Sequence, residues 1–448
     1  MIQTIRNAWK VPELRGKILF TVFALLIFRV GAAIPVPFID TETLRTYIES
    51  QSASIFGLLN VMSGDAFAQA TVFALSIQPY INSSIIIQLL TIAIPALERL
   101  QKEGGEEGKK KLEAITRYAT VAIALIQAFG YYTFLRVGSN GTSLLTVQGV
   151  WPAIVIIAAF VAGSAFLMWL GEQITEFGIG NGISIILFAG IVARGPAMVS
   201  TIYSGVRGWA AGLDAASYQV MHPVFIPFVI IGMLLLVAFI VFITNAERRI
   251  PVQYAKRVVG RKMYGGQSSH IPIKVNMSGV LPIIFAQAIA TIPATIGMYV
   301  PSAQVKGSGW NTFLSVFDPK GWVYGIVYFL LIVLFSYFYN TIQFNPIEVA
   351  NNLKKNGGFI PGFRPGKPTS DFLSKVISRI TMFGAIYLGV IALLPTVVGN
   401  IMTFFKSSAG SSLGIGGTSI IIVVGVALET VKALEAQLMM RHYKGFLE

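Results

Sequence analysis

Ten apolar runs, each near the roughly 20 residues a helix needs to cross a bilayer, set what this chain can fold into. They cover residues 18–35, 71–95, 118–137, 150–170, 182–201, 224–244, 275–300, 322–341, 376–399 and 419–439. Only 12% of the 448 residues are charged, and 54% are hydrophobic. A soluble domain carries about 25% charge. So few charges cannot cover a water-facing surface, and the apolar excess must face lipid. The expected fold class is all-α integral membrane, with ten transmembrane helices. The 44 glycines suit that class, because small residues let membrane helices approach closely.

Loop charge tests the count. With the N-terminus inside, the cytoplasmic segments hold 26 of the 34 Lys and Arg residues, the outer loops hold 7, and Arg29 falls within the first run. The outer seven are Arg45, Arg136, Arg194, Arg207, Lys306, Lys320 and Lys406. A bias near four to one places both termini in the cytoplasm. It also accounts for the net charge of +14. The first run has a basic flank and small residues at Gly31 and Ala33, as a cleaved signal would. Arg29 interrupts it, however, so it is expected to be retained.

The absence of cysteine excludes disulfide, thiol and iron–sulfur chemistry. Three distant histidines, His222, His270 and His442, make a multi-histidine metal site improbable. Neither Gly108-Lys109-Lys110 nor Gly366-Lys367-Pro368-Thr369 has the spacing and hydroxyl of a phosphate-binding loop. No catalytic residue, metal or cofactor is expected.

Ionisable groups inside spans mark ion and proton pathways. Here Arg29 is the only charge deep in a run, while Glu429 and Lys432 lie near the inner end of the last. That counts against proton-coupled transport, although a sodium-coupled carrier for a small solute stays open. Aliphatic pairs stand where charges would: Ile81 and Ile85 among Asn82, Ser83, Ser84 and Gln88; Ile183 and Leu187; Val280 and Ile284 around Pro282. Residues four apart share a helix face. Packing or lipid contact explains any one pair; together they suit a constriction that excludes ions by dewetting. Between the first two runs, residues 55–62 are apolar but too short to span. Both a helix folded back into the protein and one lying at the interface fit that stretch. Two long cytoplasmic loops, 245–274 and 343–375, are basic and rich in glycine and proline, which impose defined turns. They read as ordinary basic loops or as docking platforms.

Long motifs then narrow the choice. They include Pro79-Tyr-Ile, Ser84-Ile-Ile-Ile-Gln-Leu-Leu90, Met168-Trp-Leu-Gly-Glu-Gln-Ile-Thr175 and Gly178-Ile-Gly-Asn-Gly-Ile-Ser184. Further on stand Tyr254-Ala-Lys-Arg257, Lys274-Val-Asn-Met277, Pro361-Gly-Phe-Arg-Pro-Gly366 and Gly416-Gly-Thr-Ser419. With these the chain resembles, from end to end, the SecY family of channel subunits in the bacterial Sec protein translocase.

The resemblance implies two pseudo-symmetric five-helix halves, residues 1–205 and 206–448, around a central hourglass pore. It implies a pore ring at Ile81, Ile85, Ile183, Leu187, Ile284 and Ile422, with leucine at 187 where isoleucine is usual. It puts a plug at about 55–67, with Ile55, Phe56, Leu58, Leu59, Met62, Asp65 and Phe67. Asp65 replaces a residue that is usually small. Candidate lateral-gate residues are Gln88, Gln127 and Gln287. Partner docking falls on Lys256, Arg257, Arg261, Lys262 and Arg364. The implied function is a non-enzymatic, protein-conducting channel in the bacterial plasma membrane. The implied partners are SecE, SecG, the SecA motor, the ribosome, a secretory precursor with its signal sequence, and anionic membrane lipid.

Overall fold

The computed structural model describes residues 2–50, 55–138, 143–196, 199–200, 203, 207, 225–254, 257–259, 262–264, 268–277, 279–299, 308–316, 321–404 and 417–444. Every apolar run carries a helix. In chain order they are Pro12–Gly31, Gln78–Ala93, Gly105–Val137, Val150–Phe177, Gly182–Ala193, Phe225–Asn245, Leu281–Ala290 with Ile292–Tyr299, Trp322–Gln343, Lys367–Phe404 and Gly417–Lys444. They are called spans one to ten below. Span one shows why these helices need lipid. Leu19, Val22, Phe23, Leu26 and Val30 are exposed along one face, while Leu14, Ala24 and Phe28 are buried on the other. Spacing by three and four residues makes that outer face continuous.

Two spans depart from simple rods. The run 71–95 is helical only from Gln78, and residues 71–77 are irregular turns. Pro79 suits a helix start, since it has no N–H to leave unpaired. Span two then ends at Pro95, from which the next helix leaves at 105°. Proline disfavours a helical residue before it, and its ring would clash with the preceding turn. Span seven breaks at Thr291, next to Ile292-Pro293, for the same reason.

Span two packs on span three, three on four, four on five, and one on four. In the second set, seven packs on eight, eight on nine, nine on ten, and six on ten. The two sets meet where span seven lies against spans two and three, and where span ten lies against span five. One hydrophobic core runs through both sets and joins, among others, Phe28, Ile77, Leu167, Ile240, Ile332 and Val426. A second core closes one end of the first set, around Leu44, Phe67, Tyr131 and Phe160. Its helix Thr41–Ser50 is capped by Asp40, whose carboxylate accepts from the Thr43 hydroxyl at 2.6 Å and the Thr43 N–H at 3.2 Å. Those bonds, the hydroxyl first, hold the Asp40 carboxyl below its usual range.

The loops 245–274 and 343–375 are joined by a sheet, an addition to the helical fold. Strands β1 (Glu247–Tyr254), β4 (Ser268–Lys274) and β5 (Gly358–Phe359) run in the order β4-β1-β5, all antiparallel. A short hairpin, β2 (Arg257–Val259) with β3 (Lys262–Tyr264), forms a separate two-stranded sheet. Ile250 and Val252 alternate inwards from β1, as a two-residue period requires. They meet Ile273, Leu353, Ile360 and Leu373 in a core of their own.

Close approach fixes the first set. A β-carbon on Gly163 of span four would lie 1.9 Å from the carbonyl oxygen of Val72. Backbone cannot yield there as a flexible side chain would. Gly163→Val is expected to lower the Tm of the purified protein in detergent well below that of wild type, with at least the ~1–3 kcal/mol typical of overpacking lost. A differential scanning fluorimetry trace at the wild-type Tm would contradict this packing.

Candidate functional site

Aliphatic side chains from four helices share the hydrophobic core that runs through both sets of spans. Ile81 and Ile85 of span two, Leu187 of span five, Ile284 of span seven and Ile422 of span ten are all buried in one hydrophobic cluster. Ile183, half-buried, packs against it. Span five presents its pair because Asn181 caps it, accepting from the N–H groups of Ile183 and Ser184. The opposite face of span two carries a different load. Ser83 donates to the Thr116 carbonyl at 2.9 Å and pairs with the Thr120 hydroxyl at 2.8 Å, so it ties span two to span three. Ile86 and Leu89 of span two are exposed, on the lipid side.

Against this cluster lies the helix Ile55–Ser63, packed on span five. Val61 and Met62 are buried, as is Phe67 beyond them. Leu59 and Phe67 join the second core, whereas Met62 joins the central one. The side chains of Ile55, Phe56 and Leu58 lie outside the described residues. The Met62 thioether accepts an N–H from Gln78 at 3.1 Å and another from Gln287 at 2.9 Å. One sulfur thus bridges spans two and seven. The turn after the helix is knotted by Asn60, which donates to Asp65 and accepts from the Ala68 N–H. Tyr131 donates to the Phe67 carbonyl at 2.7 Å.

Gln127 of span three and Thr291 of span seven line a cavity of about 40 Å³, together with Leu59, Ser76, Gln78 and Asn82. Ser76 Oγ, Gln88 Oε1 and Gln287 Oε1 are buried without a hydrogen-bond partner. The cavity therefore lies between spans two, three and seven, and of these unpaired groups the Ser76 hydroxyl lines it. Of the docking candidates, Arg364 is exposed at the tip of its loop, between Gly362 and Gly366, both with positive φ. Its carbonyl accepts from the Thr369 hydroxyl. Phe363 stacks on Phe372, with ring centroids 4.1 Å apart, and so fixes the loop to span nine. Lys256 and Arg261 lie outside the described residues, as do the side chains of Arg257 and Lys262.

A family model for SecY matches residues 71–431. The chain is 44% identical to a protein translocase subunit SecY of Streptomyces galbus, over the full length of both. It is 42% identical to the SecY subunit of Mycobacterium tuberculosis strain H37Rv, again over both full lengths. The chain belongs to the SecY family. Its fold agrees with solved members of that kind. A SecY channel structure concerned with its plug domain aligns over 96% of each chain at TM-score 0.62 and 19% identity. Sec61 in a canine ribosome–channel complex aligns over 96% of each chain at TM-score 0.57 and 17% identity. This is the ten-helix, hourglass SecY fold, in a multi-pass membrane protein.

Several polar residues at this SecY site carry no motif that sequence reading singled out. Gln78 and Asn60 matter through contacts made only on folding, and Ser76 through its place on the cavity wall. Arg29, noted only as a lone charge, donates to the Gly64 carbonyl at 3.3 Å. Met62 is the one whose role is easiest to test. Met62→Leu conserves volume but leaves two buried amide donors unpaired, at about 1 kcal/mol or more. A fall in Tm of a few degrees is expected, partly recovered by adding Gln287→Leu. Equal Tm values for all three proteins would show that the bridge contributes nothing.

Proposed function

We propose that this chain is a protein-conducting channel. It moves unfolded secretory polypeptides across the bacterial plasma membrane, and releases membrane helices sideways into it. The observation that carries the reading is the burial of aliphatic side chains from spans two, five, seven and ten in one core, in a chain related to SecY along its full length. Ile81, Ile85, Ile183, Leu187, Ile284 and Ile422 form the pore ring. Such a ring excludes ions by dewetting, yet yields around a moving chain because aliphatic contacts have no fixed direction. Residues 55–67 are the plug, and residues 1–205 and 206–448 are the two halves.

The lateral gate opens where span seven meets spans two and three, with Gln88, Gln127 and Gln287 beside it. A signal sequence is itself an apolar helix. It gains roughly 0.8 kcal/mol for each CH₂ it moves from water into lipid at the gate. Separating span seven from span two also draws Gln287 away from Gln78, and so loosens their shared hold on Met62. The unpaired amide and hydroxyl oxygens near the gate are free to accept N–H groups of the entering chain.

The channel supplies no energy. A SecA motor or a translating ribosome docks on the cytoplasmic loops, through Lys256, Arg257, Arg261, Lys262 and Arg364. The likeness to Sec61 in a ribosome complex supports the second of these partners. SecE and SecG complete the complex, anionic lipid surrounds its basic face, and both termini lie in the cytoplasm.

The test is crosslinking. A photoreactive residue at position 85 should form strong adducts with a stalled precursor in the presence of SecA and ATP. The adducts should vanish when the signal sequence is made polar. Absence of adducts from a folded, partnered channel would overturn the ring and return attention to a small-solute carrier. A separate measurement concerns the seal. Ile85→Ser and Ile284→Ser should each raise the ion conductance of the idle channel in planar bilayers several-fold, and conductance equal to wild type would contradict the ring.

A further inference from the structure

Past the end of the helix Ile55–Ser63, Gly64 and Asp65 both adopt left-handed backbone, with φ of 65° and 71°. Glycine takes that conformation without strain. At Gly64 it is also needed for space, since a β-carbon would lie 2.8 Å from the carbonyl oxygen of Gly190 in span five. Asp65 is different. A second glycine would satisfy the backbone there better than any residue with a β-carbon. What aspartate adds is a carboxylate, and that carboxylate is engaged twice.

Its Oδ1 lies 3.1 Å from Nε of Arg194 and accepts from Nδ2 of Asn60 at 2.9 Å. Arg194 is the residue that ends span five, directly after the helix bearing Ile183 and Leu187. The side chains of Arg194 and Asp65 are 27% and 31% exposed. The pair is thus too sheltered to be an ordinary surface ion pair, and it is wet enough to escape the large desolvation cost of a buried one. Arg29 of span one grips the neighbouring Gly64 carbonyl. The turn is held from two spans, with the one ion pair going to span five. Three of the four non-glycine residues with positive φ, among the described residues, are Asp65, Ala70 and Ser76. A strained segment of this kind persists only while its tertiary contacts hold it.

We propose that Asp65 and Arg194 form a charge latch that keeps the helix Ile55–Ser63 on span five in the closed channel. The strength of the latch sets how apolar a signal helix must be before the channel opens. The inference rests on the reading of residues 55–67 as the plug. Breaking the pair leaves the aliphatic ring untouched. It removes the electrostatic share of the closed state, so a less apolar signal suffices.

The test uses the complete channel complex in planar bilayers, with D65N, R194Q, the double variant, and a channel lacking residues 55–67. Asn suits left-handed backbone and can still pair with Asn60, so D65N removes little besides charge. Elution with the partner subunits as a single peak establishes that each variant is folded. D65N and R194Q are each expected to raise the idle open fraction about three- to ten-fold. The double variant should rise no further than the singles, since both remove one interaction. The difference from wild type should shrink as salt is raised. A leaking deletion channel with D65N at the wild-type value would sink the latch and leave the plug standing. So would singles whose effects multiply in the double variant. A deletion channel as tight as wild type would sink the plug reading itself.

Discussion

Aliphatic side chains meeting without directional bonds govern the design of this molecule. Hydrocarbon cannot satisfy stray backbone groups, so the chain crosses the bilayer as helices with their bonds internal. Ile81, Ile85, Leu187, Ile284 and Ile422, from spans two, five, seven and ten, are buried in the one core that runs through both helix sets, and on the proposed reading they close the channel. A hydrogen-bonded closure would have to break stepwise, and would offer ions polar groups to bind on the way. An aliphatic closure gives way continuously and re-forms with equal ease. The surrounding elements then have to supply the definiteness that the closure lacks.

That definiteness comes from polar groups placed around the cluster. Asn181 fixes the start of span five, and Ser83 fixes span two to span three. Arg117 pairs with Glu172 at 2.8 Å, joining spans three and four. The Met62 sulfur is the exception, because its two amide partners belong to different spans, two and seven, from opposite helix sets. A soft acceptor suits that place. It orients the helix Ile55–Ser63, yet each N–H···S contact is weak enough to give way when the spans part.

The ten helices were legible because lipid demands long apolar runs, and the loop charges agree with their count. What a run cannot report is where helix gives way to buried irregular chain. Residues 71–77 are as apolar as the helix after them, and only Pro79 hinted at the later start. The sheet was hidden for another reason. Strands β1 and β5 lie about a hundred residues apart, in loops that read alike as basic and turn-rich. The alternation at Ile250 and Val252 was present but short. Of the site, the aliphatic pairs were visible by spacing, while their assembly into one ring came from family resemblance. Ser83 was grouped with the flanks of a pair, although it serves a neighbouring helix. The partnership of Asp65 with Arg194 joins positions that only the fold brings together.

The pairing of Gln253 with Phe359 ties the loops 245–274 and 343–375 together through one sheet. Those loops connect spans six to seven and eight to nine, so a force applied to either tip is shared among four helix ends. None of those ends belongs to spans one to five. A body leaning on this sheet therefore exerts a torque on one side of the molecule alone. The contacts of span seven with spans two and three, and of span ten with span five, must carry the reaction. The sheet works as a crank handle, and the seam between the two helix sets is where its turning is felt.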